Sequence, residues 1–388
     1  MKLNRNIFVG LIVALFAFAG GCAKQGGNQA ASSNVDDNEI RIGEYGSMTG
    51  DTATFGVSTH NGIMMALEKL NAGGGVLGKK IKVISEDNQG KTSEAVSSVL
   101  KLINQNKVHA IIGEVASSRS LAAAPKCQQA KIPMLSPAST NEKVTQVGDY
   151  IFRACFTDSF QGEIIAKFVS EELKSKNVAV LVDQKSDYSL GLAQNFTAKF
   201  TAMGGTVLTQ ESYMAGDIDF KAQLTKIKGR NPQVIVVPGY YTQVGQIARQ
   251  ARELGITVPL VGGDGWDSEE TAKIGGQAIE GSYYTNHYSP DDPRPEVQSF
   301  VNEYKQKYGK VPDAMAVLGY DAMFIMADAI KRAGSTEGSK IRDALATTKD
   351  FPGVSGKITI DAQRNAQKPL VVLKFEGGKT VFAKLVNP

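Results

Sequence analysis

From Glu39 onward, short apolar runs alternate with amphipathic segments. The runs Ile40–Tyr45, Ile81–Ser85, Val108–Gly113, Val178–Asp183, Val234–Val237 and Val258–Gly262 are mostly β-branched and show little polar alternation. A strand with one wet face alternates and a strand covered on both faces does not, so these runs predict buried parallel strands. Between them the apolar positions recur at helical spacing. Val96, Val99, Leu100 and Ile103 form one stripe, Leu190, Ala193, Phe196, Phe200 and Met203 a second, and Val244, Ile247, Ala248, Ala251 and Leu254 a third. Strand, helix, strand in repetition implies right-handed crossovers and doubly wound sheets.

The alternation pauses at an extended stretch, Tyr150 to Asp158, and again at Gly281 to Tyr288, which runs into the Pro-rich Pro290 to Pro295 and two long helices near Glu296 to Tyr308 and Asp313 to Ala333. A third pause falls near Ile358 to Gln363. Three crossings predict an α/β protein of two Rossmann-like lobes joined by a three-strand hinge. Lobe 1 is then 39–155 plus 287–360 and lobe 2 is 156–286 plus 361–388. A length of 388 residues suits two domains of ~100 to 200 residues each.

The first residues read as an export signal. Lys2 and Arg5 precede an apolar run from Ile7 to Ala19 that ends in Gly20, Gly21 and Cys22. As a helix that run spans about 20 Å at ~1.5 Å per residue, short of a ~30 Å hydrocarbon core, so it is a signal core and not a permanent anchor. Small residues followed by cysteine resemble a bacterial lipoprotein signal, with 1–21 removed and Cys22 lipidated. Ala19 stands where that motif usually has Leu, and ordinary secretory cleavage nearby is the other reading. Residues 22–38 are polar, with Val35 the only large apolar side chain, and read as a flexible tether. The expected location is the periplasm or cell envelope. An oxidising compartment permits Cys127 and Cys155 to pair, but sequence does not place them within bonding range, and two buried, inert thiols are the default.

A net charge of +4, part of it in the signal, leaves no basic excess for nucleic acid. Gly73, Gly75 and Gly78 fit a dinucleotide fingerprint and, with Lys79, the start of a phosphate loop. Both motifs need a strand before and a helix after; here a helix at 61–70 comes first and a strand follows, so the glycines read as a helix C-cap and turn. His60, His109 and His287 are widely spaced, and no carboxylate or cysteine cluster at ligand spacing accompanies them, so neither metal nor cofactor is expected. Without a G-x-S-x-G elbow or a histidine near Ser117, Ser136 or Ser139, an enzyme is not the expectation either.

What remains are hydroxyl-rich loops at the carboxyl ends of strands, where open α/β sheets bind ligands. Gly113 leads through Glu114, Val115 and Ala116 into Ser117, Ser118 and Ser120, and Pro133–Leu135 leads into Ser136, Pro137, Ala138, Ser139 and Thr140. Free amides and hydroxyls there can bind a carboxylate without any arginine.

At this point the residues resemble a family, the periplasmic branched-chain amino acid (Leu/Ile/Val) binding proteins of ABC importers, with the type I binding fold. The resemblance runs from Ile40 to Pro388 through Gly46-Ser-Met-Thr-Gly50, Phe55-Gly56, Asn71-Ala-Gly-Gly74, Gly113 to Ser118, Ser136-Pro-Ala-Ser-Thr140, Gly239-Tyr240 and Gly262-Gly-Asp-Gly265. It implies that Ser117, Ala138 and Thr140 hold a ligand's carboxylate and ammonium on one lobe. Tyr188, Tyr240 and Asp264 would approach the ammonium from the other, and Phe55 would line the side-chain pocket. It also implies a monomer that delivers its ligand to an ABC permease and touches the membrane only through its lipid. A ligand-sensing receptor of the same fold, or a binder of small amides, is the alternative. The family often has Glu where Asp264 stands, and Arg119 follows the hydroxyl pair where a small polar residue is common. Arg119 is expected to point to solvent, and Trp266 to serve the core or the rim.

Overall fold

A computed structural model of the chain describes residues 38–387; the signal, Cys22 and the tether up to residue 37 lie outside the described residues. The first sheet holds β1 (Glu39–Gly46), β2 (Lys80–Asp87), β3 (Ala110–Ile112), β4 (Met134–Ser136) and β5 (Ile151–Arg153). All are parallel, in the order β2-β1-β3-β4-β5. Their connections are α1 (Ala53–Ala72), α2 (Thr92–Asn104), α3 (Ser117–Ala130) and the short α4 (Lys143–Gln146). After α5 (Asp158–Lys167) the same winding repeats with β6 (Asn177–Asp183), α6 (Asp187–Ala202), β7 (Thr206–Tyr213), α7 (Lys221–Gly229), β8 (Val234–Val236), α8 (Tyr241–Glu253), β9 (Leu260–Gly262), α9 (Glu269–Gly275) and β10 (Tyr283–Asn286). The chain then returns to the first lobe as α10 (Pro295–Tyr308), α11 (Ala314–Ala333) and α12 (Gly338–Ala346). A small sheet of β11 (Phe351–Gly353), β12 (Gly356–Ile360) and β13 (Ala366–Gln367) comes next. Finally β14 (Leu370–Glu376) and β15 (Lys379–Val386) add an antiparallel edge to the second sheet, whose order is β15-β14-β10-β9-β8-β6-β7.

The unalternating strands are explained by what covers them. In β3, Ala110 and Ile112 join the cluster under α1 and α11, while Ile111 faces the cluster under α2 and α3. In β6, Ala179 and Leu181 point one way and Val178, Val180 and Val182 the other. Helix α1 meets α11 through two glycines. A Cβ on Gly62 would lie 1.9 Å from the Ala316 carbonyl, and one on Gly319 would lie 2.4 Å from that of Thr59. The Gly73–Gly78 stretch is a helix end followed by a turn: Gly73 caps α1, and Gly74, Gly75 and Gly78 take φ of +98°, +77° and +74°.

The chain passes between the sheets after β5, after β10 and after β13. Because β13 pairs with β12, the third passage comes at Lys368–Pro369, later than a boundary at 360/361. Both described cysteines are buried and unpaired, and burial pushes each thiol up to about 12. No helix among the described residues is long and apolar enough to cross a membrane.

Candidate functional site

Each sheet reverses its winding next to its first strand, between β1 and β3 in one lobe and between β6 and β8 in the other. Ligands of open α/β sheets bind outside the carboxyl ends of strands at such points, and here the two crevices face each other. The cavity between them, about 210 Å³, is lined by Phe55, Val115, Ser117, Ala138, Thr140 and Met315 from lobe 1 and by Tyr188, Tyr240, Asp264 and Gly265 from lobe 2. All seven side chains singled out from sequence therefore meet in one place.

On the lobe 1 wall the serines divide into two kinds. Ser136 and Ser139 donate to the Glu114 carbonyl at 2.7 and 2.9 Å, and Ser136 Oγ accepts from the Ser139 amide at 2.9 Å. These are braces that fix the shape of the two loops. Ser117 and Thr140 are the hydroxyls that reach the cavity. Ser117 opens α3, a helix with no side-chain N-cap, so first-turn amides and the positive end of the helix dipole sit at the cavity wall. Ser117 Oγ accepts from the Asn141 amide at 3.3 Å, while Thr140 Oγ1 has no partner among the described residues. Behind the loop, Arg153 is fully buried. It donates to the carbonyls of Ser139 and, at 2.7 Å, of Asn141, and to Asn365 Oδ1 at 2.8 Å.

Arg119 does not point to solvent. It is 7% exposed and its Nε lies 2.9 Å from Glu114 Oε1. It also donates to Thr52 Oγ1 at 2.9 Å and the Gly90 carbonyl at 3.2 Å. Glu114 in turn accepts from Ser47, Asn88 and the Ala116 amide at 2.8, 2.9 and 2.6 Å. A buried carboxylate at the strand ends requires a cation, and the first turn of α3 supplies it. Trp266 belongs wholly to the core, with Nε1 donating to the Val237 carbonyl at 2.9 Å.

The lobe 2 wall brings the charge. Asp264 is 3% exposed, and its two oxygens are held by side chains that sequence reasoning missed: Gln161 Nε2 at 2.9 Å on Oδ1 and His287 Nε2 at 3.0 Å on Oδ2. Gln161 Oε1 also accepts from the Asp264 amide at 3.2 Å. Burial drives the His287 imidazole down to about 4, against the pull of Asp264, so the ring is neutral and donates Nε2–H. It stacks on Phe156, ring centroids 3.9 Å apart. The available signal was position: His287 lies within the second pause in the alternation and Gln161 three residues past the first. Tyr188 stacks on Tyr240 at 5.3 Å and accepts from the Gly265 amide at 3.1 Å, and Phe55 meets Tyr240 edge-on at 5.7 Å.

The walls are drawn together by bonds between lobes. Ser118 Oγ donates to Asp187 Oδ2 at 2.8 Å, Asn141 Nδ2 donates to the Asp187 carbonyl at 2.7 Å, and Ser268 Oγ donates to Thr54 Oγ1 at 3.2 Å. Among the described residues no group of three or more His, Cys, Asp or Glu is placed to hold a metal ion.

The sequence pattern of the periplasmic binding proteins matches residues 39–379. The chain belongs to that family. Among solved structures, this periplasmic binding protein is similar to the leucine binding protein LivK of Thermotoga maritima, at 41% identity and a TM-score of 0.87, over 90% of this chain and 99% of that one. It is also similar to the branched-chain amino acid transporter substrate binding protein LivJ of Streptococcus pneumoniae, in complex with isoleucine, at 37% identity and a TM-score of 0.85, over 90% of this chain and all of that one. The Leu/Ile/Val-binding protein BraC3 of Rhizobium johnstonii is 30% identical over 350 residues, 89% of this chain and 94% of the relative. The two lobes are those of a type I periplasmic binding protein.

Proposed function

We propose that this periplasmic binding protein captures an α-amino acid with an apolar, branched side chain between its lobes and presents it, closed in, to the permease of an ABC importer. The observation that carries this reading is the division of the cavity. One wall offers the uncapped start of α3 and the Ser117 hydroxyl, suited to a carboxylate, and the other offers Asp264, suited to an ammonium. Phe55, Val115, Met315 and the tyrosine rings give the rest of the lining an apolar character. Asp264 is the only charged side chain of that lining, so the ammonium of a zwitterion matches it in sign, while the carboxylate falls to the helix start opposite. The Leu/Ile/Val names of the relatives support the branched side chain.

The protein acts by closure and not by catalysis. A ligand that touches both walls stabilises the closed state through contacts the open state lacks. The lobes, 39–155 with 287–367 and 156–286 with 370–388, turn about the three passages. Export is directed by residues 1–21, and a lipid on Cys22 holds the monomer to the cell envelope through the 22–38 tether. Native mass spectrometry of the purified mature chain, followed by calorimetric titration with leucine, isoleucine and valine, tests the reading. One bound amino acid per chain is expected. A co-purified aromatic acid, with no heat from any amino acid, would overturn it.

A further inference from the structure

The start of α6, in lobe 2, is capped from lobe 1. Within α6 the Ser186 hydroxyl accepts from the Ser189 amide, which leaves the first-turn amide of Asp187 without a partner in its own helix. That amide donates instead to Ser118 Oγ at 2.9 Å, and Ser118 gives its own proton to Asp187 Oδ2 at 2.8 Å. Asn141 Nδ2 adds a third bond, 2.7 Å to the Asp187 carbonyl. Asn141 can come this near because residue 191 is glycine: a Cβ there would lie 2.4 Å from Asn141 Nδ2. Three bonds between the lobes thus meet on one residue that is not part of the cavity lining.

Two features tie this contact to the ligand site. The first is adjacency. Ser118 follows Ser117 and Asn141 follows Thr140, so in both loops one residue faces the cavity and the next one faces lobe 2. The Asn141 amide also donates to Ser117 Oγ at 3.3 Å. The second is charge. The starts of α3 and α6 meet here, and both are positive dipole ends. The Asp187 carboxylate serves the two at once, from the first turn of α6 and through its bond to the first turn of α3.

Resting on the closure reading above, we propose that Asp187 is the latch of the closed state, a positioning residue that touches no ligand and sets how long a ligand stays. Its bonds to lobe 1 form when the lobes meet, after the ligand has entered, so they slow reopening and leave the encounter unchanged. When the lobes part, water takes the place of each partner, and the open protein is not destabilised by the loss.

The test compares the parent, Asp187→Ala, Ser118→Ala and the double variant. Chase of labelled leucine gives the release rate, calorimetry gives Kd, and their quotient gives the association rate. Asp187→Ala is expected to speed release about ten-fold or more and Ser118→Ala about three-fold or more, with association within about two-fold of the parent. The double variant should release leucine no more than about two-fold faster than Asp187→Ala, because Ser118 acts through Asp187. Leucinol, which lacks the carboxylate, should be weakened by Asp187→Ala by the same factor as leucine, within about two-fold. Since Asp187 also stands at its own helix start, the stability control is Ser118→Ala, which should keep the ligand-free urea midpoint of the parent. An effect confined to association, a loss for leucine with none for leucinol, additive effects of the two substitutions, or a lowered ligand-free midpoint in Ser118→Ala would each overturn the proposal and leave the amino-acid reading standing. A parent that binds neither leucine, isoleucine nor valine would overturn that reading itself.

Discussion

On the reading proposed above, the two walls of the cavity prepare for opposite charges by different means. The lobe 1 wall uses dipoles: the start of α3 and two hydroxyls, held in place by serines bonded to the Glu114 carbonyl. The lobe 2 wall uses a formal charge, Asp264, gripped on both oxygens by Gln161 and His287. Dipoles from a rigid loop need no counter-ion when the ligand leaves. A buried carboxylate does need partners in that state, and the neutral donors of Gln161 and His287 serve it without cancelling the charge that attracts an ammonium. The difference teaches that substitutions on the two walls should fail differently, by loss of a charge on one side and loss of a bond on the other.

The largest expected effect is on the charged wall. Asp264→Asn removes one partner of a buried ion pair at nearly constant volume and should cost about 3 to 5 kcal/mol of binding, two to three decades or more in Kd. Calorimetry with leucine checks this. Binding within about three-fold of the parent would place the charge partner elsewhere, with Glu114 already committed to Arg119.

Next in size is a pH effect on the support of that wall. His287 is held at about 4 in the folded protein and returns to ~6.5 when unfolded. Between those values the unfolded chain binds the extra proton, so this residue's contribution is fully present above pH ~6.5 and is lost as pH falls towards 4, on the order of 3 kcal/mol in all. His287→Gln, which keeps a donor for Asp264, should flatten the fall in urea stability between pH 6.5 and 4.5 relative to the parent. Parallel curves for the two proteins would contradict the assignment.

On the dipolar wall, Ser117→Ala should cost about 1.5 to 3 kcal/mol, the scale of a hydrogen bond to a charged group. An unchanged leucine Kd with intact folding would reduce Ser117 to its bond with the Asn141 amide. The smallest effect belongs to neither wall. A chain starting at Asn38 should fold and bind leucine as the full mature protein does, because residues 22–37 bring no core-forming side chain apart from Val35. A loss of binding in the shortened chain would make the tether part of the site.

The sheets and the hydroxyl loops of the lobe 1 wall were legible in sequence for definite physical reasons, whereas Phe55, Tyr188, Tyr240 and Asp264 came only through the family resemblance. Strands buried on both faces write themselves as unbroken Val and Ile runs, as in β3 and β6, and loops at strand ends advertise hydroxyls, as at Ser117 and Thr140. The supports were not legible. Gln161 and His287 reach Asp264 from α5 and from the end of β10, over 103 and 23 residues of chain, and no local pattern encodes such a meeting. Arg119 misled because a first-turn arginine usually faces water. Its burial follows from Glu114, whose own burial only the packing of three loops decides. The edge strand β15 escaped notice because its outer positions, Phe382 and Leu385 at 48% and 52% exposed, blur the alternation.

The division of labour between the walls is tested most directly by one calorimetric series on the parent, using leucine, its 2-oxo acid and leucinol. The 2-oxo acid keeps the carboxylate and lacks the ammonium; leucinol keeps the ammonium and lacks the carboxylate. The two-wall account predicts that leucine binds far more tightly than either analogue, with the 2-oxo acid losing two decades or more because Asp264 is left facing no cation. Asp264→Asn should erase most of the gap between leucine and the 2-oxo acid while leaving the gap between leucine and leucinol. Equal affinities for leucine and its 2-oxo acid in the parent would contradict the account.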